Sequence, residues 1–330
     1  MILKKIKSKN KKAFDMPFSW LFAIIVGSVI LFLAIFAASR FIDVGKTQRS
    51  GEVAKSITIL IDPAETGIAS AVGDIIHLGT ETRLEIKCYE PNSALAFGRQ
   101  TIAVAESSRF KEEWAQTGPE VSIYNKFIFS DKIEQGKDLY LFSKPFYLGY
   151  KVGDITMISS ENYCFVAPPN FIKEELEGLS LKNINISDNL DLCEEEDTKV
   201  CFGIYSNDCN VSVQGNDDYS AGIITKQGIN VNYVGNLIYA GIFSDPEIYE
   251  CNLKRLVRKS TELARVYNKK IEIVKVKNCN SIINLHLDSI ISKGENYKQS
   301  FEILDIYNSA KNMDDENERA ECKIYPGEDY

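Results

Sequence analysis

The stretch PFSWLFAIIVGSVILFLAIFAAS, Pro17 to Ser39, decides how the rest of the chain is read, and it lies just after KKIKSKNKK, residues 4–12. From Phe18 to Ala38 no residue carries a formal charge. At about 1.5 Å of rise per residue the run matches a hydrocarbon core of roughly 30 Å, so it reads as a spanning helix. Lys4, Lys5, Lys7, Lys9, Lys11 and Lys12 precede it, against Arg40, Lys46 and Arg49 soon after it. The positive-inside bias then keeps the N-terminal tail in the cytoplasm and places everything after Ser39 outside. The rival reading is a cleaved signal peptide, whose apolar core is usually about 7–15 residues. This run is longer, although FAAS at its end resembles a cleavage site. Trp20 near the inner boundary suits the headgroup level.

Small residues in this helix fall on one stripe: Ser19, Ala23, Gly27, Ala34 and Ala38. Such a stripe allows close helix approach in lipid and predicts self-association, although Gly and Ala are also common in membrane helices generally.

The cysteines test the orientation independently. None lies in the first 87 residues, and all eight (Cys88, Cys164, Cys193, Cys201, Cys209, Cys251, Cys279, Cys322) fall in the part placed outside. An even number in an oxidising compartment reads as disulfides. The alternatives are buried free thiols or a zinc site, but no C-x-x-C pair occurs and no histidine stands at ligand spacing from a cysteine. Two pairings are expected: Cys201 with Cys193 or Cys209 as a local clasp, and Cys251 with Cys279 or Cys322 tying the C-terminal helices. Two N-x-S sequons, at Asn185 and Asn210, also lie outside, where glycan transfer can occur.

The chain is long enough for a real core beyond the helix, and with 16 Tyr and 17 Phe the exterior reads as folded rather than as a disordered stalk. Net charge is −8, of which +5 falls in residues 1–16, leaving −13 for the remainder. So acidic an exterior argues against nucleic acid as a partner.

Beyond a polar stalk with Gly45, Ser50 and Gly51, EVAKSITILIDP is a short helix or strand ending at Pro63. Alternating or β-branched runs follow: TRLEIKCY, QTIAVAES, VSIYNKFIFS, DLYLFSKPFYLGYKV, KVCFGIYS, NVSVQG, and a hairpin GIITKQGINVNYVG turning at Gln227-Gly228. One helix, PPNFIKEELEGL, interrupts them. Strands in succession favour an antiparallel sheet or sandwich. From Asn236 the period changes. Ser244-Asp245-Pro246-Glu247 has the form of a capping box, and Tyr249, Leu253, Leu256, Ser260, Leu263 and Tyr267 make the seam of a long helix. SIINLHLDSIIS and YKQSFEILDIYNSAKNM supply neighbouring helices, joined by a turn at Lys293-Gly294.

Lys254, Arg255, Arg258, Lys259, Arg265, Lys269 and Lys270 make that long helix basic. They read either as a docking face for an acidic partner, a polyanionic glycan or lipid headgroups, or as a solvated face neutralised by the domain's own acids. Glu194 to Asp197 and Asn216-Asp217-Asp218 lack the spacing of a calcium loop and read as acidic turns. The only histidines are His77 and His286, and no nucleophile elbow, zincin motif, P-loop or dinucleotide fingerprint occurs. No catalytic, cofactor or metal residue is therefore assigned.

The strings FSWLFAIIVGSVILFLAIFAAS, FGRQTIAVAESS, NYCFVAPP, KVCFG and FSDPEIYECNLKRLVRK together resemble a family of single-pass membrane proteins of small-genome archaea with no established function. The resemblance covers most of the chain and implies a surface location. The N-terminus is also similar to archaeal type IV pilins, which carry a basic leader, a processing site and then an apolar helix. Lys11-Lys12-Ala13-Phe14 stands where that site would be, whereas Asp15, Pro17 and the large cysteine-rich exterior depart from the pilin pattern.

The expectation is an α+β protein: a cytoplasmic tail (1–16), a transmembrane helix (17–39), a stalk (40–55), an antiparallel strand-rich extracytoplasmic domain (56–235) and a helical subdomain with an acidic tail (236–330). The expected role is non-enzymatic. It is a membrane-anchored, disulfide-stabilised envelope protein, without cofactor, that binds or scaffolds an envelope protein or glycan at the outer face of the bilayer. The alternatives are a pilin-like filament subunit and an envelope hydrolase using a carboxylate pair.

Overall fold

A computed structural model describes the backbone of residues 18–60, 73–107, 114, 117–203, 206–276, 279 and 281–326 and, within the first helix, the side chains of 19–38 and 51–56. The basic tail and Lys11-Lys12-Ala13-Phe14 lie outside the described residues. The chain divides into two units, 1–48 and 49–330.

Helix α1 (Phe18–Leu60) is a single run of 43 residues. The stretch expected as a polar stalk is therefore helical, and Glu52–Leu60 continues the same helix. No proline interrupts residues 40–60, and Gly45 and Gly51 each cost only about 1 kcal/mol against alanine, too little to end it. Ser19–Ala38 is long and apolar enough to cross a membrane, and no part of it is covered by protein. An anchor and a signal sequence both meet that description.

In the second unit β1 (Asp74–Tyr89), β2 (Arg99–Glu106), β3 (Val121–Ile123), β4 (Phe127–Phe129), β5 (Ile133–Leu148) and β6 (Tyr150–Ser159) form one sheet, in the order β3-β2-β1-β5-β6-β4. It is antiparallel except that β4 runs parallel to β6. A second sheet follows from β7 (Tyr163–Val166), β8 (Ile184–Ser187), β9 (Thr198–Phe202), β10 (Val211–Gly215), β11 (Ala221–Lys226) and β12 (Ile229–Val234), ordered β12-β11-β10-β9-β7-β8.

Here the purely antiparallel expectation fails, because β8, β7, β9 and β10 are all parallel neighbours. Helix α2 (Asn170–Leu179) is the reason for the first of these pairs. A helix between adjacent strands returns the chain to its starting end, so the strands run the same way. The return from β9 to β10 has only residues 203–210, reaching roughly 27 Å extended, enough to span a five-residue strand but not to build a helix. The hairpin β11–β12 forms as expected, with positive φ at Gln227 (55°) and Gly228 (75°).

The helical part comprises α3 (Leu237–Phe243), α4 (Pro246–Lys275), α5 (Asn284–Glu295) and α6 (Ile303–Arg319). Helix α4 starts where expected but with a different cap. The Asp245 side chain accepts from Glu247 N at 2.9 Å, while Ser244 Oγ donates back to Ala240 O and closes α3. All seven residues of α3 are buried. Gly294 is not a turn residue. It lies inside α5, where a Cβ would stand 2.0 Å from Thr261 Oγ1, so its missing side chain lets α5 lie close against α4.

One apolar core joins these parts. Phe129, Phe142 and Met157 of the first sheet, Phe165, Val200 and Val213 of the second, and Tyr249, Leu253 and Leu256 of α4 belong to it. The opposite face of the first sheet has its own cluster, including Leu84, Ile102 and Leu141, against which Val53 and Ala54 of α1 pack.

Where the chain passes between the sheets, Lys226 and Glu134 are buried and Asp131 between them is half-buried. Lys226 Nζ bonds Asp131 Oδ1 at 2.8 Å, tying β11 to the turn before β5. Glu134, 1% exposed, accepts from Asp131 N at 3.0 Å and from Ser160 N and Oγ at 2.7 Å each. Burial pushes the Glu134 carboxyl up to about 7, although the Ser160 donors pull the other way. Burial likewise raises Asp131, with Lys226 opposing it.

Candidate functional site: the grooves along helix α4

Helix α4 buries two stripes rather than one. Tyr249, Leu253, Leu256 and Ser260 face the main core, as the seam predicts. Ile248, Cys251, Asn252 and Arg255 form the second stripe, also buried. Cys88 of β1 reaches Cys251 there (Cα–Cα 6.0 Å), and Asn252 and Arg255 face Gln100 and Ile128 of the first sheet.

Arg255 is fully buried and makes five hydrogen bonds. Nε donates to Phe97 O (3.3 Å), Nη1 to Gln100 Oε1 (3.0 Å), Lys126 O (3.0 Å) and Asn252 Oδ1 (2.7 Å), and Nη2 to Tyr124 O (2.7 Å). None of these acceptors is a carboxylate. Gln100 also exchanges two hydrogen bonds with the backbone of Ile128, whose carbonyl accepts a third from Asn252 Nδ2. Burial brings Arg255 down to about 10, so it remains a cation at neutral pH. A planar fork with five donors can satisfy carbonyls from two loops at once. Arg255 thereby holds the 90–98 loop and the 124–127 corner against α4. Gly98 completes the fit: its φ is +63° and an added Cβ would stand 2.3 Å from Tyr89 O and 3.0 Å from Arg255 Cγ.

Among the described residues four depressions lie along α4, one of them, of about 580 Å³, between its C-terminal end and α5; the other three flank its N-terminal two thirds. The first, about 610 Å³, lies between the end of β1 and the start of α4, with Ile133, Ile229, Pro246, Ile248 and the Cys88–Cys251 bridge among its walls. The second, also about 610 Å³, is polar and lies between Glu90–Ala96 and the end of α5. The third, about 220 Å³, is walled by Phe97, Tyr124, Phe127, Leu263 and Val266, with Asn125, Lys259 and Glu262 beside them. Phe97 and Tyr124, whose carbonyls Arg255 holds, are 43% and 53% exposed. Rigid, half-exposed aromatic rings beside polar groups are the usual furniture of a binding surface.

The glutamates lining the first groove are engaged. Glu85 accepts from Thr117 Oγ1, Glu90 pairs with Lys254, Glu247 with Lys132, and both oxygens of Glu250 accept from Ser300 N. The basic residues of α4 are also largely met by the domain's own groups. Arg258 pairs with Glu262 (3.0 Å), Arg265 with Glu262 and Glu295, Lys270 with Ile324 O, and Lys259 lies 5.4 Å from the Phe127 ring centroid.

All eight cysteines are paired, as Cys88–Cys251, Cys164–Cys193, Cys201–Cys209 and Cys279–Cys322. Cys201 takes one of its two expected partners. Cys251 does not, because the N-terminal half of α4 lies on the first sheet, while Cys279 and Cys322 join the α4–α5 connection to the segment after α6. Asn185 stands on β8 and Asn210 just before β10, both exposed. Ser19, Ala23, Gly27, Ala34 and Ala38 are exposed on α1, and nothing lies within 4 Å of where a Gly27 Cβ would be. Among the described residues no cluster of three or more His, Cys, Asp or Glu could hold a metal ion. The Asp218 and Asp197 carboxylates instead accept from backbone N–H groups of their own turns. His77 bonds the exposed Asp138 at 2.7 Å, and His286 faces Glu316 at 3.2 Å.

Sequence reasoning missed Arg255 and Gln100. Spacing from Ile248 places Arg255 on a buried stripe, but nothing distinguishes it among seven basic residues until the carbonyls it serves are assembled. No family model, curated protein or solved structure matches the chain. The four disulfides and the N-terminal apolar helix mark the chain as an extracellular or envelope protein, exported by an anchor or a signal peptide.

Proposed function

We propose that the chain is a membrane-anchored envelope protein whose disulfide-bonded exterior binds an envelope protein or glycan through the grooves along α4. The observation that carries this reading is the cysteine distribution: all eight follow the apolar helix and all are bonded. Bonded cysteines belong to an oxidising compartment. The Phe97 and Tyr124 surface, braced from below by Arg255, supports a binding role over a passive one. Protease shaving of intact cells, with mass spectrometry of the fragments, tests it. Release of peptides from the 73–326 region, with residues 1–16 retained by the cell, is expected. Protection of the whole chain would overturn the reading, and a mature chain beginning near residue 40 would replace the anchor by a signal peptide.

A second reading has one observation in its favour. A simple anchor needs about 20 residues, whereas α1 continues for 43, and Ala54 in its last two turns is fully buried against a sheet. A long helix built into its domain suits a filament subunit as well as an anchor. A native N-terminus at Phe14 would favour the pilin-like reading, and one at Met1 or Ile2 the plain anchor.

A further inference from the structure

The two sequons, which the grooves leave unexplained, meet on one surface. Strand pairing sets Asn185 beside Cys164, Cys164 beside Lys199, and Ser187 beside Val166, itself beside Cys201 and then Ser212. Asn210 Oδ1 accepts from Lys199 N at 2.8 Å, which puts Asn210 in the same row as Asn185. It is the oxygen that is tied to the strand, not the nitrogen. The middle residues face the other way. Val211 is fully buried in the main core and Ile186 packs against it. In an extended chain successive side chains point to opposite faces, so with Ile186 and Val211 on the core side the Asn and Ser of each sequon lie on the other face, where Asn185 and Asn210 are exposed and Ser187 and Ser212 are each 8% exposed. Three strand spacings of roughly 4.8 Å separate β8 from β10, so the two asparagines lie about 14 Å apart on the outer face, flanking the Cys164–Cys193 bridge.

We propose that Asn185 and Asn210 both carry N-linked glycans and that the outer face of the second sheet is a glycan-covered surface, an inference that rests on the export of this domain. At each site Nδ2 bonds to the anomeric carbon of a lipid-phosphate-linked oligosaccharide. The anomeric carbon–oxygen bond to phosphate breaks, the lipid phosphate leaves with the electron pair, and one amide proton is released. The Asn185 glycan also guards β8, an edge strand whose free backbone groups would otherwise recruit another chain. Partner docking is thereby directed away from this face and toward α4.

Peptide mass spectrometry of the full-length protein purified from its native membranes tests the proposal. A glycan mass is expected on both the Asn185 and the Asn210 peptide. N185Q should remove only the first, and N210Q or S212A only the second, each with a step in gel mobility. S212A keeps the Asn210 bond to Lys199 and so separates loss of the sequon from loss of the fold. An unmodified asparagine at either position in a chain that shaving shows to be exported overturns the glycan face while leaving the envelope reading standing. Unmodified asparagines in a chain protected from shaving overturn both.

Discussion

Glu134 is expected to make the stability of this protein fall as pH rises through the neutral range, and Glu134→Gln should remove its share of that dependence. An acid whose folded value is raised binds its proton more tightly when folded. Between the ordinary glutamate value of 4.5 and about 7 the folded state holds a proton that the unfolded state has lost. Stability contributed by the protonated form is complete below 4.5 and is lost as pH climbs through 7. At 1.36 kcal/mol per pH unit, the difference between pH 4.5 and 8 is roughly 3 kcal/mol. Asp131, raised by burial in the same pocket, adds to the trend with the same sign. Glutamine has nearly the same shape and does not titrate, but its amide can accept at only one end, so with its oxygen facing Ser160 the Asp131 N–H loses its partner. The variant should therefore be less stable than the parent at pH 5 and should close most of that gap by pH 8. Thermal denaturation of the full chain in detergent, disulfides intact, measures this. A change in the melting-temperature difference on the order of 6–10 °C across that interval is expected. A gap that stays constant from pH 5 to pH 8 would refute the reasoning, since it would mean that the Ser160 and Asp131 donors keep Glu134 ionised in spite of burial.

Three further outcomes are expected. Arg255→Leu takes a donor from five acceptors, of which Gln100 Oε1 still accepts from Ile128 N. It should cost about 3–5 kcal/mol in chemical denaturation, and Arg255→Lys should recover only part of that because an ammonium lacks the fork. A loss below about 1 kcal/mol would show that the network contributes little. Gly98→Ala meets both a φ of +63° and a 2.3 Å approach to Tyr89 O, whereas Gly79→Ala meets nothing within 4 Å, so the first should destabilise by more than about 2 kcal/mol and the second hardly at all. Replacing both members of Cys88–Cys251 by serine opens a loop of 163 residues, against 8 for Cys201–Cys209. The loop-entropy relation gives about 5 and about 2.5 kcal/mol respectively, and equal losses in parallel denaturation curves would contradict it.

Much that is local here was legible in the sequence. The apolar run announced the helix through its length alone. Gln227-Gly228 announced the hairpin, and Ser244-Asp245-Pro246-Glu247 with the seam from Tyr249 announced the start of α4, though not which side chain caps it, because caps, turns and periodicity act over a few residues. Cysteine placement signalled export, since oxidation depends on compartment rather than on fold. What the tertiary structure decided was every relation that spans the chain. The parallel order β8-β7-β9-β10 follows from which strands become neighbours, and the pairing of Cys251 with Cys88 from the packing of α4 on the first sheet. Arg255 reads as one more surface cation until Phe97, Tyr124, Lys126 and Gln100 bring their oxygens to it. Nothing in the sequence around Glu134 marks it for burial, which comes only from the crossing between the sheets. A charge has the same letter in water and in a core, and only packing over long sequence separations settles which of the two surrounds it.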